Sequence, residues 1–294
     1  MIKIIPREQI KHLEWNTNNP LPANSSNTTN TVPIQNFLNQ EVSLDAILTG
    51  TPFYDSKISV ALQQALEYAT PDGYIATMPE LISAKIKADK SHDFWQKWYS
   101  AHTEENIGID KKGRFYSKDE PVLVVVNGGG ILTPERITKA YEDELIGGSA
   151  KYSDNEFDDL LDGKLPNGVT IPLYRFEEIN AGKSGLPHQF GIVMPYSLAQ
   201  GTSSGYHKKD GFTTNPLVIA RAGGIENLEA YYELAKDSVG DVGNHHVYDG
   251  RDASTPQGRL LYLLNYYSGL YGNNNLDVSG RFVGVAPEAH GAKK

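Results

Sequence analysis

Residues 241–252 bring imidazoles and carboxylates together in one polar cluster: Asp241, His245, His246, Asp249 and Asp252, with Arg251 among them. Imidazoles and carboxylates in one loop suit a divalent metal, and they also suit general acid–base work. His245, His246 and Asp249 are therefore the candidate metal ligands. His245, His246, Asp249 and Asp252 are the candidate acid–base groups. The spacing matches no named metal motif, and HExxH is absent from the chain. Arg251 and Arg259 are the cations that would face an anionic ligand. A second cluster, Gly201-Thr202-Ser203-Ser204-Gly205, fits G-x-S-x-G, in which a strained strand-to-helix turn exposes a nucleophilic serine. The third is Asn127-Gly128-Gly129-Gly130, placed after the apolar run Val122 to Val126 and before Thr133-Pro134. Strand, glycine turn and helix N-terminus in that order present free backbone N–H groups to a phosphate or an oxyanion.

The third cluster resembles the His-Gly-Gly-Gly oxyanion motif of α/β-hydrolase lipases and esterases, with Asn127 in place of His. That resemblance implies Ser203 as nucleophile, an acid among Asp241, Asp249 and Asp252, and a base in His290, His245 or His246. Pro195 interrupts the strand that should precede the elbow, and Tyr206-His207-Lys208-Lys209 follows where its helix should begin. Dinucleotide binding is disfavoured, because Gly128-x-Gly130-x-x-Thr133 lacks the third glycine of the fingerprint. Gly182-Lys183-Ser184 ends like a P-loop, but Glu177 stands at the leading glycine and Pro187 blocks the helix. The reading is an enzyme acting on a small polar or anionic substrate, with hydrolysis as the first reaction to test. The alternative is a non-catalytic structural or assembly protein, such as a self-associating shell or virion component. The 17 tyrosines, the Asn-rich start and the lack of any complete catalytic motif favour it.

These clusters need elements to hold them. Helical periodicity dominates residues 40–100. Ile58, Leu62, Ala65 and Leu66 share one face, Thr77 with Glu80 forms a capping box, and Ser91 opens a short aromatic helix with Phe94, Trp95, Trp98 and Tyr99. A hairpin is expected over 106–116. Thr133 with Pro134 caps an amphipathic helix carrying Ile137, Ala140, Tyr141 and Leu145. The acidic stretch 154–162 reads as a solvated helix face, since Asp159 occupies the position where an EF-hand needs glycine. Strands are expected over 169–176, 191–198, 216–220 and 281–285. Helices are expected over 225–236 and from Thr255 to Tyr271. The two strand–glycine–helix units, at 121–145 and 216–236, favour an α/β (or α+β) fold. Its mixed, partly parallel central sheet would carry helices packed on it, after a helical N-terminal third. Residues 1–40 form an N-terminal strand and an Asn-rich loop, and residues 41–294 a single domain.

Composition bounds the partners. With 39% hydrophobic and 21% charged residues the chain supports a packed core. The net charge of −9 argues against a nucleic-acid or anionic-membrane surface. The absence of cysteine excludes disulfides and thiolate chemistry. No secretory h-region or membrane-length apolar run is visible, so a cytoplasmic location is expected. The cofactor is unspecified, with a divalent metal the candidate. The partners expected are a small molecule and further copies of the chain.

Overall fold

The computed structural model describes residues 42–237, 240–248, 251–265 and 268–286. The Asn-rich N-terminal segment, Asp249 and His290 lie outside them. The helix-rich first third runs α1 (Leu44–Leu48), β1 (Thr51–Asp55), α2 (Ile58–Ala69), β2 (Tyr74–Ile75), α3 (Met78–Lys87) and α4 (Asp93–Gln96). Next come β3 (Tyr99–Asp110), β4 (Glu120–Asn127), α5 (Pro134–Glu142), β5 (Ala150–Lys151), α6 (Asp154–Leu161), β6 (Leu173–Arg175), α7 (Phe176–Asn180) and β7 (Phe190–Pro195). The last part holds α8 (Tyr196–Gln200), β8 (Gly205–His207), α9 (Lys209–Thr213), α10 (Pro216–Arg221), α11 (Leu228–Ala235), β9 (Val242–His245), β10 (Gln257–Leu263), β11 (Leu270–Tyr271) and β12 (Gly280–Val285).

A nine-stranded sheet in the order β6-β7-β4-β3-β10-β11-β9-β8, with β5 added beside β10, forms the centre. The β6–β7 and β9–β11 pairs are parallel; β3, β4, β7 and β10 pair antiparallel. The mixed sheet with helices packed around it agrees with the fold class read from the sequence. Both faces of its middle are covered. Val122, Val124 and Val126 enter one apolar cluster, while Leu123 and Val125 enter the other. Burial on both sides explains why β4 reads as an unbroken apolar run. A three-stranded sheet, β1-β12-β2, pairs the first described strand with the last, and α2 packs across it.

Local chemistry fixes the helix starts. Thr77 and Glu80 close the expected capping box of α3, and the Thr133 side chain accepts from the Arg136 N–H at the head of α5. The acidic helix α6 docks on the β3–β4 turn, where Lys111 meets Asp154 at 2.6 Å and Arg114 meets Asp162 at 2.7 Å.

Two expected elements change type. Residues 216–220 form helix α10 rather than a strand: Pro216 takes the first turn, and the Asn215 side chain accepts from the N–H groups of Leu217 and Val218. The described residues between Thr255 and Tyr271 form no long helix. They hold β10, buried along its whole length, and then β11. Leu260 and Tyr262 enter one cluster and Leu261 and Leu263 the other, so no polar alternation marks the strand. Accordingly neither strand–glycine–helix unit makes a parallel crossover.

Candidate functional site

The glycine turn after β4 is occupied by the chain itself. Gly128 and Gly129 take φ of +80° and +88°, and their N–H groups donate to the His102 carbonyl at 2.9 and 3.2 Å. The Ile131 and Leu132 N–H groups donate to the two carboxyl oxygens of Glu104, each at 2.8 Å. Asn106 donates to the same group at 3.0 Å. A carboxyl of the neighbouring strand thus sits where a bound oxyanion would. Burial raises its pKa, opposed by these three hydrogen bonds. A Cβ on Gly130 would come within 2.1 Å of Glu104 Oε1, and one on Gly129 within 2.6 Å of the His102 ring. The glycines therefore let these side chains close over the turn. Asn127 is buried and accepts from the Thr103 hydroxyl at 2.8 Å.

Ser203 is exposed in the turn between α8 and β8. The local order is helix, turn, strand, the reverse of a nucleophile elbow. Its neighbours are tied to the histidine pair: Thr202 Oγ1 lies 3.1 Å from His246 Nε2, and the Ser204 hydroxyl donates to the His246 carbonyl at 3.2 Å. His246 is buried there, whereas His245 sits on the other side of the strand. The His245 ring stacks on Tyr271 at 4.4 Å and meets Tyr206 edge-on at 5.2 Å. Burial, then Arg221 and the neighbouring histidines, lowers the His245 pKa. Asp252 is exposed and accepts the Ser254 N–H at 2.8 Å.

Beneath this face lies a buried ionic network. Arg221, at the end of α10, is fully buried and forks onto Glu105 of β3 at 2.7 and 2.9 Å. Its remaining Nη1 donates to Asn244 Oδ1 at 2.6 Å, the His245 carbonyl at 3.0 Å and the Leu270 carbonyl at 3.1 Å. One guanidinium thereby fastens β9 and β11 to the sheet centre. Tyr248 also donates to Glu105. Arg251 and Arg259 converge nearby on Ser149 Oγ, with Nη1 of Arg251 at 2.9 Å and Nη2 of Arg259 at 2.7 Å. Burial, then the Arg251 charge, pushes the Arg259 pKa down to about 10.

The structure joins the 201–205 turn to the histidine pair but leaves the glycine turn apart from them. Three strands stand between β4 and β9 in the sheet order. Four strand spacings of ~4.8 Å place those ends ~19 Å apart, beyond the reach of one substrate's reacting groups. The common hydrolytic site is therefore not assembled. Glu104, Glu105, Arg221, Tyr206 and Tyr271 were not singled out in the sequence. An arginine closing the apolar run Pro216 to Arg221, and adjacent glutamates inside a strand, were the available signals of a buried pair.

No family model matches the chain, and no curated protein matches it. A solved structure described under the words "Accommodation of massive sequence variation in Nanoarchaeota by the C-type lectin fold" is similar to it. The identity is 29%, the TM-score 0.61, and the match covers 80% of this chain and 97% of that one. This fold serves chiefly non-catalytic recognition and structural roles, which overturns the expectation of a small-molecule hydrolase. Proteins of the fold often hold a divalent ion in ligand binding. Among the described residues no group of three or more His, Asp or Glu side chains is placed to hold one. His245 and His246 diverge across their strand, so they do not fit as joint ligands. No helix among the described residues is long and apolar enough to cross a membrane. The likeness is one of fold; the aromatic face carried by β8, β9 and β11 is read from this chain's own rings.

Proposed function

We propose that the protein is a non-catalytic recognition module whose ligand face is the Tyr206–His245–Tyr271 cluster. One observation carries this reading: three rings from three neighbouring strands are gathered at the surface, with Tyr206 51% exposed, over a backbone pinned from below by Arg221. Rigid aromatic groups supply contact area at low entropic cost, which is why tyrosine is enriched at binding hot spots. Flat rings with polar edges suit the apolar face and hydroxyl rim of a sugar, so a carbohydrate is the ligand class to test first. The similar structure's description, massive sequence variation accommodated on one fold, supports a scaffold whose surface can vary without its core. The test is a glycan-array screen of the full chain beside Tyr271→Ala and Tyr206→Ala. A bound glycan should lose about tenfold or more in affinity in each variant, as for a hot-spot ring. Glycan binding that is indifferent to both substitutions would place the face elsewhere.

A second reading is self-assembly. Tyr54, Val60 and Tyr68 are exposed at 56%, 37% and 41% on β1 and α2. Tyr54 meets Trp98 while its neighbour Phe53 meets Tyr68, so these side chains lie on two faces, each of which would bury apolar area against a further copy. Light scattering on the purified chain should show an oligomer that Tyr68→Glu disperses, and a strictly monomeric protein would end this reading.

A further inference from the structure

Arg251 and Arg259 are cations held by neutral groups. Arg251 donates to Ser149 Oγ at 2.9 Å, Gln257 Oε1 at 2.6 Å and the Gly147 carbonyl at 3.0 Å. Arg259 donates through Nε and Nη2 to the same Ser149 oxygen, at 3.0 and 2.7 Å, and to the Gly147 carbonyl at 2.9 Å. One hydroxyl oxygen with two lone pairs thus faces three N–H groups. The nearest buried carboxylate, Glu105, is already forked by Arg221. Among the described residues neither Arg251 nor Arg259 has an ion pair, and Arg251 Nε makes no hydrogen bond. With no carboxylate paired to them among the described residues, two guanidiniums side by side leave a positive potential that favours an anion.

A cavity of about 380 Å³ opens at Arg251. Thr255 and Gln257 give it polar walls, Ile146 and Val247 apolar ones, and Asp252 lines it as well. That volume lies in the range of small-molecule sites. It exceeds what a bare ion fills, so the apolar walls would cover a carbon skeleton. Asp252 adds a negative charge that disfavours a doubly charged anion such as phosphate.

We propose that this cavity binds an organic monocarboxylate, with its carboxylate on the Nε side of Arg251 and its apolar body against Ile146 and Val247. Thr255 and Gln257 would take hydroxyl or carbonyl substituents. The site is distinct from the aromatic face and does not rest on the recognition reading.

The test is an NMR titration of the full-length protein with sodium butyrate, sodium acetate and sodium sulfate at fixed ionic strength, following the Arg251 Nε–H signal. Butyrate should saturate at one site, more tightly than acetate, with sulfate weaker than both. Arg251→Gln should weaken butyrate by about tenfold or more, the loss of roughly one charged hydrogen bond. Val247→Glu leaves Arg251 in place and sets a second carboxylate in the cavity, so it should abolish binding; it decides the matter if Arg251→Gln fails to fold. No saturable carboxylate binding, binding unchanged in Val247→Glu, or sulfate binding tighter than butyrate would each overturn the proposal.

Discussion

At the scale of single residues, two carboxyls organise the sheet centre. Glu104 satisfies two buried backbone N–H groups beside the glycine turn. Glu104→Ala should cost roughly 2–6 kcal/mol, since each of the two buried donors left unpaired costs ~1–3 kcal/mol. Gly130→Ala should also destabilise the wild type, because its Cβ would meet Glu104 Oε1. In the Glu104→Ala background that second cost should shrink, and urea denaturation of the four proteins measures the coupling. Arg221→Met strands Glu105 as an unpaired buried charge and should cost about 3–5 kcal/mol. Glu105→Met in the same chain should restore part of it. A buried histidine contributes to acid sensitivity. Burial, and then His188, pushes the His102 pKa down to about 3 from an ordinary 6.5. The folded state keeps His102 neutral, while the unfolded chain takes a proton below 6.5. Its contribution is therefore complete above pH 6.5 and declines toward pH 3, by up to ~1.4 kcal/mol per pH unit. Melting temperatures from pH 7.5 to 4.5 should show that decline, and a shallower one in His102→Leu. The glycine turn was legible as a turn. Nothing in its local sequence announced that Glu104, from another strand, would fill it.

At the scale of elements, the amphipathic helices were read correctly from periodicity and caps: α2, α3, α5 and much of α11 lie where expected. Failure came where burial is two-sided or the cap decides. The run Pro216 to Ala220 is apolar enough for a strand, yet the Asn215 side chain and Pro216 begin a helix. Leucine-rich β10 lacks the alternation that separates strand from helix. Position 269 offers a test of the aromatic face at this scale. A Cβ on Gly269 would come within 2.2 Å of the Tyr271 ring. Gly269→Ala should push that ring off its stack on His245, visible as a changed ring-current shift of the His245 protons, while the sheet's far-UV spectrum stays unchanged.

At the scale of the whole molecule, the residues proposed from the sequence as one centre are divided across the sheet order. The glycine turn ends β4, the histidines end β9, and Arg251 reaches back toward the start of β5 and β10. Which strands neighbour one another is a long-range property, fixed by pairings such as Asn127 with Thr103 and Asn244 with Gly205. Spacing along the chain carries no record of it. Removing residues 280 onward should leave no cooperative thermal transition, measured by circular dichroism, because β12 is the middle strand between β1 and β2.

That middle strand gives the molecule an order of events during synthesis. Thr51 pairs with Gly284, so the earliest described strand waits on the ribosome for nearly the latest one. Until then β1 lacks its pairing strand and α2, though it also packs against α5 and β2, lacks the strand it crosses. Closing so distant a pair is entropically slow. A prematurely ended chain would therefore display an open strand edge and a partly uncovered helix, the kind of surface on which aggregation and proteolysis begin.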